Sequence, residues 1–470
     1  MSAPATTEKK YLKWYQKLAY GSGDLASNCS YGLVSSFVLL YLTGTLGLDS
    51  AIIGSLMLAS KVLDGISDVI FGTLIDHTHS KLGKARPWML FGQVGVSLCL
   101  FLLFAIPAGS TTMQYIYFFI VYTALNAVFY TANGIAYSSL VALITKNNNE
   151  RVQLGSFRFM FAVVTNIFMG FAVTGMVEKF GSGAAGWRTT ALIFAIVGLV
   201  VNTISCLAVK ELPEEELSDN TSEAAEEGKA VAKEKKHGFA ETAKILIHNK
   251  YYLMILAIYI VYYIMSNLTT GAGVFCATYY WGDGSLLGQF SMMKMFPVII
   301  ALAIAPVLIK KTGSMQKVNF WGYAISSVLG IPMIYFAMQK NLSMFLLFMF
   351  IKGIFAGTLS GSLNALIAEA SGYTTRTTGI HMDSMMYSCS SLGVKVGGGI
   401  GTAAVGWLLK LGGFVGTATV QSESAIRMIF NLYITFPFVI GIIITVLLAF
   451  LDVEKANKKW DAEHQKEAQA

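Results

Sequence analysis

Apolar stretches of about 20 residues recur twelve times along this 470-residue chain. As a helix, each stretch is long enough to span the hydrocarbon core of a bilayer, which is roughly 30 Å thick. Only 13% of the residues are charged, whereas about a quarter are charged in a soluble domain. The sequence therefore predicts an all-α membrane protein with twelve transmembrane helices. The predicted spans are residues 24–46, 52–75, 88–107, 113–144, 157–178, 188–209, 252–279, 286–309, 318–338, 343–368, 382–410 and 427–451.

A long charged segment separates the sixth predicted span from the seventh. Acidic residues from Glu211 to Glu227 precede lysines from Lys229 to Lys236, a composition typical of a solvated linker. The linker divides the spans into two six-helix bundles, the plan of a transporter whose halves rock about a mid-membrane site. The predicted domains are a cytoplasmic N-terminal segment 1–23, a first bundle 24–209, a cytoplasmic linker 210–250, a second bundle 251–453 and a cytoplasmic tail 454–470.

The loop charges predict the orientation in the membrane. Lys and Arg follow the second, fourth and eighth spans, whereas the loops 107–112 and 281–285 contain neither. By the positive-inside rule, both termini are then cytoplasmic. The net charge of +7 is spread over loops and forms no basic face, which argues against nucleic acid as a partner. The two halves also echo each other weakly, 83–92 after the second span resembling 313–322 after the eighth.

Two carboxylates one helical turn apart lie within the second span. Asp64 and Asp68 share a helix face with Lys61. An uncompensated charge at mid-bilayer costs roughly 2.5–3.5 kcal/mol, so the acids need a positive partner. With the hydroxyl of Ser67, they could bind Na⁺ or, with a proton on one carboxylate, H⁺. The alternative is a permanent structural pairing of both acids with Lys61 and Lys395.

Lys395 lies in a glycine-rich stretch of the eleventh span, 393–399. Glycines allow helices to approach closely. A lysine reaching Asp64 or Asp68 from the other half would couple the halves electrostatically. The alternative is that its side chain extends toward the membrane interface.

Polar residues in the fourth and fifth spans predict a sugar site. Asn126, Tyr130, Asn133 and Tyr137 follow helical spacing, and amide, phenol and ring groups suit sugar hydroxyls and pyranose faces. The alternative is ordinary packing. Arg158 could bind substrate through its planar guanidinium or pair with Asp24, which lies in the first span and is also a predicted substrate-binding residue. No motif of nucleophilic, metallohydrolase or nucleotide chemistry appears, so the sequence predicts neither an enzyme nor a cofactor.

One run of residues resembles a known family. Asp64, Asp68, Gly72 and Asp76, followed by the loop 83–88 (Gly-Lys-Ala-Arg-Pro-Trp), are similar to the glycoside–pentoside–hexuronide:cation symporters, the melibiose permease relatives within the major facilitator superfamily. The resemblance covers nearly the whole chain. It implies import of a sugar with Na⁺, Li⁺ or H⁺ across a bacterial inner membrane.

The resemblance also implies site residues. The implied cation site is Asp64, Ser67, Asp68 and Thr131, and the implied sugar contacts are Asn28, Gly134, Arg158 and nearby Tyr137, with Lys395 beside both sites.

The chain departs from the family at Asn28 and Gly134, where melibiose-type members have carboxylates. Their loss leaves Arg158 less compensated and favours an acidic sugar such as a hexuronide. Ser67 replaces an Asn of some members, which favours protons over sodium.

The predicted function is therefore alternating-access symport of a glycoside, pentoside or hexuronide with Na⁺ or H⁺. The alternatives are a cation-coupled transporter of another small metabolite and a membrane sugar sensor that does not transport.

Overall fold

The computed structural model describes residues 9–213, 245–379, 383–418 and 420–467, and these residues form helices and short connections without a strand. Most of the predicted linker (214–244), the first eight residues and the last three lie outside the described residues. The helices are α1 Trp14–Gly21, α2 Gly23–Leu40, α3 Ser50–Asp76, α4 Arg86–Leu103, α5 Thr111–Thr123, α6 Thr131–Ile144, α7 Asn148–Lys179, α8 Gly183–Leu207, α9 Lys250–Phe275, α10 Leu286–Thr312, α11 Met315–Met338, α12 Leu342–Thr378, α13 Asp383–Leu392, α14 Gly398–Leu411, α15 Glu423–Phe430, α16 Phe436–Phe450 and α17 Val453–Glu467.

Membrane-spanning helices dominate the architecture. In the described part of the chain, eleven helical stretches are long and apolar enough to cross a bilayer. Helix α3 has 27 residues but is not among the eleven, and it carries Lys61, Asp64 and Asp68. The predicted all-α membrane fold is confirmed, while the count of twelve spans and the cytoplasmic termini stay predictions.

Five π-helical segments interrupt or extend these helices within the described ranges. They are Tyr41–Thr45, Ala124–Tyr130, Cys276–Trp281, Gly393–Gly397 and Asn431–Thr435. A π-turn adds a residue to the helical repeat and so changes the direction of the side chains that follow it. Periodicity read along a regular helix therefore misplaces residues beyond such a segment.

Contacts divide the chain into two units. The first comprises Met1–Leu48 and Ala59–Lys236, and the second comprises Asp49–Leu58 and His237–Ala470. The sequence-based boundaries assign Asp49–Leu58 to the first bundle. Its assignment to the second unit has a steric basis, because a Cβ on Gly54 would lie 2.7 Å from Ala403 O and one on Gly406 would lie 2.2 Å from Ser50 O.

In the first unit, a distant carboxylate caps the start of α4. Glu211 accepts hydrogen bonds from the backbone N–H groups of Lys84 (2.7 Å), Ala85 (3.0 Å) and Arg86 (3.0 Å). These are donors that a helix start leaves unpaired. Gly83 has a φ of +110°, and a Cβ there would lie 2.3 Å from Glu211 Cδ. The cap thus depends on glycine at this position.

The second unit repeats the device at the start of α11. Glu454 accepts from the hydroxyl of Ser314 and from the backbone N–H of Gln316 at 2.9 Å. Gly313, just before, also has a positive φ of +65°. The weak sequence echo between 83–92 and 313–322 thus corresponds to a shared way of beginning a helix.

Candidate cation and sugar sites

Asp64 is the centre of a group of polar side chains in the first unit. It is only 9% exposed, and its Oδ2 lies 3.5 Å from Lys61 Nζ, one turn earlier on α3. Its Oδ1 accepts a hydrogen bond of 2.6 Å from the hydroxyl of Thr131. Two of the residues predicted for a cation site, Asp64 and Thr131, are therefore in direct contact.

The π-helical segment before α6 sets the position of Thr131. Thr131 Oγ1 lies 2.9 Å from the carbonyl oxygen of Asn126, five residues earlier. In a regular helix, a threonine hydroxyl bonds three or four residues back, so this contact reflects the local π geometry. π-Bulges occur frequently at functional sites.

The other two predicted cation ligands also lie on α3. Ser67 is 9% exposed, and its hydroxyl donates to the backbone carbonyl of Asp64 at 2.9 Å, leaving its oxygen lone pairs for a ligand. Asp68 is partly buried. The candidate cation site thus offers carboxylate and hydroxyl oxygens, the atoms that bind Na⁺ or accept H⁺. It consists of Asp64, Ser67, Asp68 and Thr131.

A second polar group surrounds Asp24 on α2. Arg158 Nε donates to Asp24 Oδ2 at 2.6 Å, and the hydroxyl of Tyr137 lies 3.3 Å from the same oxygen. The Arg158 guanidinium also lies over the Tyr137 ring, 4.1 Å from its centroid. Of the two alternatives for Arg158, pairing with Asp24 is present in the structure, and a role in substrate contact stays a prediction.

Glycines allow Asp24 and Arg158 to come close enough to form an ion pair. A Cβ on Gly21 would lie 2.6 Å from Phe157 Cβ on α7, and one on Gly23 would lie 2.8 Å from the Tyr137 ring. The chain between α1 and α2 therefore packs directly on α6 and α7, which carry Tyr137 and Arg158.

Asn28 and Gly134 border the Asp24 group differently. Asn28 Nδ2 donates to the backbone carbonyl of Asp24 at 2.7 Å, and its Oδ1 accepts from Asn166 Nδ2 at 2.9 Å. A Cβ on Gly134 would meet nothing within 4 Å. The site thus has open space beside Gly134.

The four residues predicted to share one helix face do not lie together in the structure. They are Asn126, Tyr130, Asn133 and Tyr137. Tyr130 stacks on Tyr31 of α2 with ring centroids 5.5 Å apart. Asn133, in contrast, is 3% exposed and donates to Gln93 on α4 at 2.7 Å. Asn126 is 2% exposed and donates back to Tyr122 O. The structure brings Tyr130 and Tyr137 to α2, and it does not bring Asn133 to this group.

Lys395 belongs to the second unit. It lies in the π-helical segment Gly393–Gly397, where a Cβ on Gly393 would lie 2.3 Å from Tyr259 Cβ of α9 and one on Gly397 would lie 2.4 Å from Ile260 O. The glycines do allow a close helix approach. The coupling of Lys395 to Asp64 or Asp68 stays a prediction.

Two residues of these groups were missed by the sequence reasoning. Tyr31 follows Asp24 and Asn28 at positions i+7 and i+3, so helical spacing places it on their face of α2. Asn166 is a polar amide inside the fifth apolar span. Both signals were present in the sequence, although neither indicates a particular partner.

The model of the family described as MFS/sugar transport protein matches residues 19–455. The chain belongs to this family. The predictions of a major facilitator transporter, of cation-coupled sugar symport and of a protein that is not an enzyme are thereby confirmed at the level of the family. An MFS/sugar transport protein is a multi-pass membrane protein, which in bacteria lies in the inner membrane.

Full-length relatives resemble this MFS/sugar transport protein. An isoprimeverose transporter of Lactiplantibacillus pentosus is 26% identical over 478 residues, covering 100% of this chain and 96% of its own. A glucuronide carrier protein homolog of Escherichia coli is 23% identical over 408 residues, covering 86% and 85%. A solved D-xylose-proton symporter superposes with a TM-score of 0.60 at 11% identity, covering 92% of this chain and 97% of its own, which supports the fold.

Proposed function

We propose that this transporter imports a sugar or glycoside together with a cation bound at Asp64 and Asp68. One observation carries the proposal: Asp64, buried on α3, contacts both a lysine and a threonine hydroxyl. A carboxylate with such partners can exist charged, compensated by Lys61, or neutralised by a bound cation. That exchange is what coupling requires.

We favour H⁺ over Na⁺ as the coupling ion. Thr131 has one hydroxyl hydrogen, yet its oxygen lies within hydrogen-bond distance of two acceptors, Asp64 Oδ1 and Asn126 O. A proton on Asp64 would donate to Thr131, and Thr131 could then donate to Asn126. With Na⁺, the same oxygens and that of Ser67 would serve as ligands instead. The presence of Ser67 where some relatives have Asn also supports a proton.

For the sugar, we propose contacts from Asn28, Tyr130, Tyr137 and Arg158, with Asp24 orienting Arg158. The hydroxyl of Tyr137 and the amide of Asn28 already contact Asp24. A sugar hydroxyl could replace one of these contacts, and the space beside Gly134 gives it room. Because Asp24 compensates Arg158, Arg158 gives no independent reason to expect an acidic sugar.

Coupling follows from linkage between the two sites. If a bound cation raises the affinity for sugar by some factor, sugar raises the affinity for the cation by the same factor. Asp64 and Thr131 lie on α3 and at the start of α6, and Tyr137 lies on α6 as well. Helix α6 therefore directly connects the residues of the proposed cation site with those of the proposed sugar site.

The test is accumulation in proteoliposomes that contain the full chain, with isoprimeverose as the first sugar. We expect an inward H⁺ gradient to drive accumulation, and we expect Asp64→Asn to abolish it, by more than tenfold, because Asn binds neither H⁺ nor Na⁺ as a carboxylate does. Glu178→Gln, an exposed change of the same kind on α7, should accumulate sugar normally. Repeating the assay with a Na⁺ gradient at equal pH distinguishes the ions. Unchanged concentrative uptake by Asp64→Asn would rule out the proposed cation site.

A further inference from the structure

A cavity opens inside the second unit. It encloses about 1040 Å³ of empty space, including the open solvent at its mouth, and α9, α10, α11, α12 and α16 contribute to its lining. Most of the lining is apolar, with Met265, Met293, Phe345 and Phe438 among its residues.

Two lysines line this apolar cavity. Lys294 lies on α10 and Lys352 on α12, and both are partly buried. Lys294 Nζ reaches the hydroxyls of Thr270 at 3.2 Å and Thr269 at 3.4 Å. Lys352 has neither a hydrogen bond nor an ion pair with any residue of the described ranges. None of the described residues that line the cavity is acidic.

Close packing of α10 on α12 brings the lysines to one cavity. A Cβ on Gly353 would lie 2.8 Å from Pro297 Cβ and 3.6 Å from Met293 O. Lys352 precedes Gly353 and Lys294 follows Met293, so both lysines flank the point of closest approach. Because Gly353 has no side chain, α10 and α12 can approach closely enough to bring both lysines to this cavity.

Two ammonium groups in such a place need compensation. A charge inside a membrane protein is costly and is normally paired or directed at a watery cavity that serves function. Hydroxyl dipoles at Lys294 supply part of this compensation, and none is supplied to Lys352 by the described residues. An anion that visits the cavity would compensate both, through short charge-assisted hydrogen bonds.

The remaining polar lining suits a sugar. Tyr262 and Ser360 hydroxyls lie 2.7 Å apart, and Ser266, Ser326 and Ser327 add further hydroxyls. The rings of Tyr262 and Tyr323 offer flat surfaces for a pyranose. Anion-binding lysines next to hydroxyls and aromatic rings match a sugar that carries a carboxylate better than an inorganic ion.

We propose that this cavity binds an acidic glycoside, with Lys294 and Lys352 holding its carboxylate. The inference rests on the proposed function, because it names the class of sugar that the transporter takes. Arg158 of the first unit leaves no free charge for a carboxylate, because Asp24 already neutralises it. A phospholipid headgroup is the other source of an anion, and the experiment must separate the two.

The experiment compares two ligands that differ at one position, p-nitrophenyl β-D-glucuronide and p-nitrophenyl β-D-glucoside. Their dissociation constants are measured calorimetrically on the purified full chain. We expect the wild type to bind the glucuronide at least tenfold tighter. Lys352→Met and Lys294→Met should each reduce that ratio about tenfold while the glucoside affinity changes less than threefold, because only the charged contact is lost.

Two controls isolate the charge. Lys310→Met removes an exposed lysine from the same helix as Lys294 and should leave the ratio unchanged. Lys352→Arg keeps the charge and should retain most of the preference. Equal ratios in the wild type and both cavity variants would overturn the proposal, and so would a wild-type ratio near one.

A lipid arm and a transport arm complete the design. If phosphatidylglycerol added to the calorimetric assay competes with the glucuronide in the wild type but not in Lys352→Met, the lysines bind a lipid headgroup and the proposal fails. If a cation gradient drives uptake of the glucoside while the ratio stays near one, the inference fails and the proposed function stands. If no sugar accumulates at all, the proposed function fails first.

Discussion

Basic side chains are compensated differently in the ion pairs of the first unit and in the cavity of the second unit. In the first unit, each described ion pair joins an acid to a base across short distances: Arg158 with Asp24 at 2.6 Å, Lys17 with Glu150 at 3.0 Å and Lys61 with Asp64 at 3.5 Å. In the second unit, Lys294 and Lys352 face an apolar cavity whose described lining has no acid. Acids compensate the bases in the pairs of the first unit, whereas the described residues supply the two cavity lysines only with the hydroxyls beside Lys294.

This contrast does not come from a difference in backbone architecture, because the corresponding helices α4 and α11 begin in the same way in the two units. Glu211 caps α4 and Glu454 caps α11, each after a glycine with positive φ. What differs is the chemistry of the side chains that the helices carry. Under our two proposals, one architecture holds carboxylates for a cation in one half and lysines for an anion in the other.

The largest effect that bears on this contrast is expected from breaking the ion pair between Asp24 and Arg158. Removing one partner from a buried pair strands the other charge, at a cost of about 3–5 kcal/mol when burial is complete. Here the side chains keep 18% and 25% exposure, so we expect about 2–4 kcal/mol for Asp24→Asn or Arg158→Gln. The double variant should lose less than the sum of the singles, as measured by thermal unfolding in detergent.

A surface pair gives the matched control. Lys250 and Asp452 are 65% and 47% exposed, and the same exchanges there should cost about 1 kcal/mol or less. If the effects at Asp24 and Arg158 were strictly additive, the two charges would not depend on each other, and the contrast between the units would be lost.

The shared helix caps allow a smaller, directional test. In Glu211→Gln, one oxygen that accepts a backbone N–H becomes an NH₂ group that faces it, so we expect a loss of about 1–2 kcal/mol. In Glu454→Gln, the NH₂ group can face the Ser314 hydroxyl, which can rotate to accept. The loss should therefore be about 1 kcal/mol or less. Thermal unfolding of both variants measures the difference, and a larger loss at Glu454 would contradict this account of the caps.

The sequence predicted the parts of this structure that depend on local patterns. Apolar length predicts where helices cross the membrane, and the spacing of Lys61 and Asp64 predicts that they meet on one turn. Hydropathy detects only the lipid-facing part of a helix, however, so α7 begins at Asn148 and α12 continues to Thr378, beyond their predicted spans of 157–178 and 343–368.

Contacts between distant segments could not be predicted in the same way. Glu211 lies more than 120 positions from the α4 start that it caps, and nothing local distinguishes it from the other glutamates of the charged segment. Asn126 and Asn133 were placed on one helix face because the helix was read as regular through the π-helical segment Ala124–Tyr130. Lys294 and Lys352 were each visible in the sequence, but the packing of Gly353 on Pro297 that unites them was not.

The smallest expected effect concerns Asp49, at the N-terminus of α3, and its dependence on pH. Burial acts to raise the pKa of Asp49, but hydrogen bonds from Lys410 and from the backbone N–H groups of Ala51 and Ile52 outweigh it. The pKa in the folded protein is therefore below its ordinary value of 3.8. A carboxyl group with a lowered pKa stabilises the fold fully above its unfolded pKa and loses that contribution as pH falls through the folded value.

Asp49→Asn isolates this contribution, because Asn is also a good N-cap and keeps the bonds to the helix start. The lost partner is Lys410, 2.6 Å away but 58% exposed, so the variant should lose about 0.5 kcal/mol or less at pH 7. Unfolding midpoints measured from pH 7 to pH 3 should converge for the wild type and variant as Asp49 becomes protonated. A difference that grew toward low pH would mean that the pKa of Asp49 is raised in the folded state, so that burial outweighs the hydrogen bonds to its carboxylate.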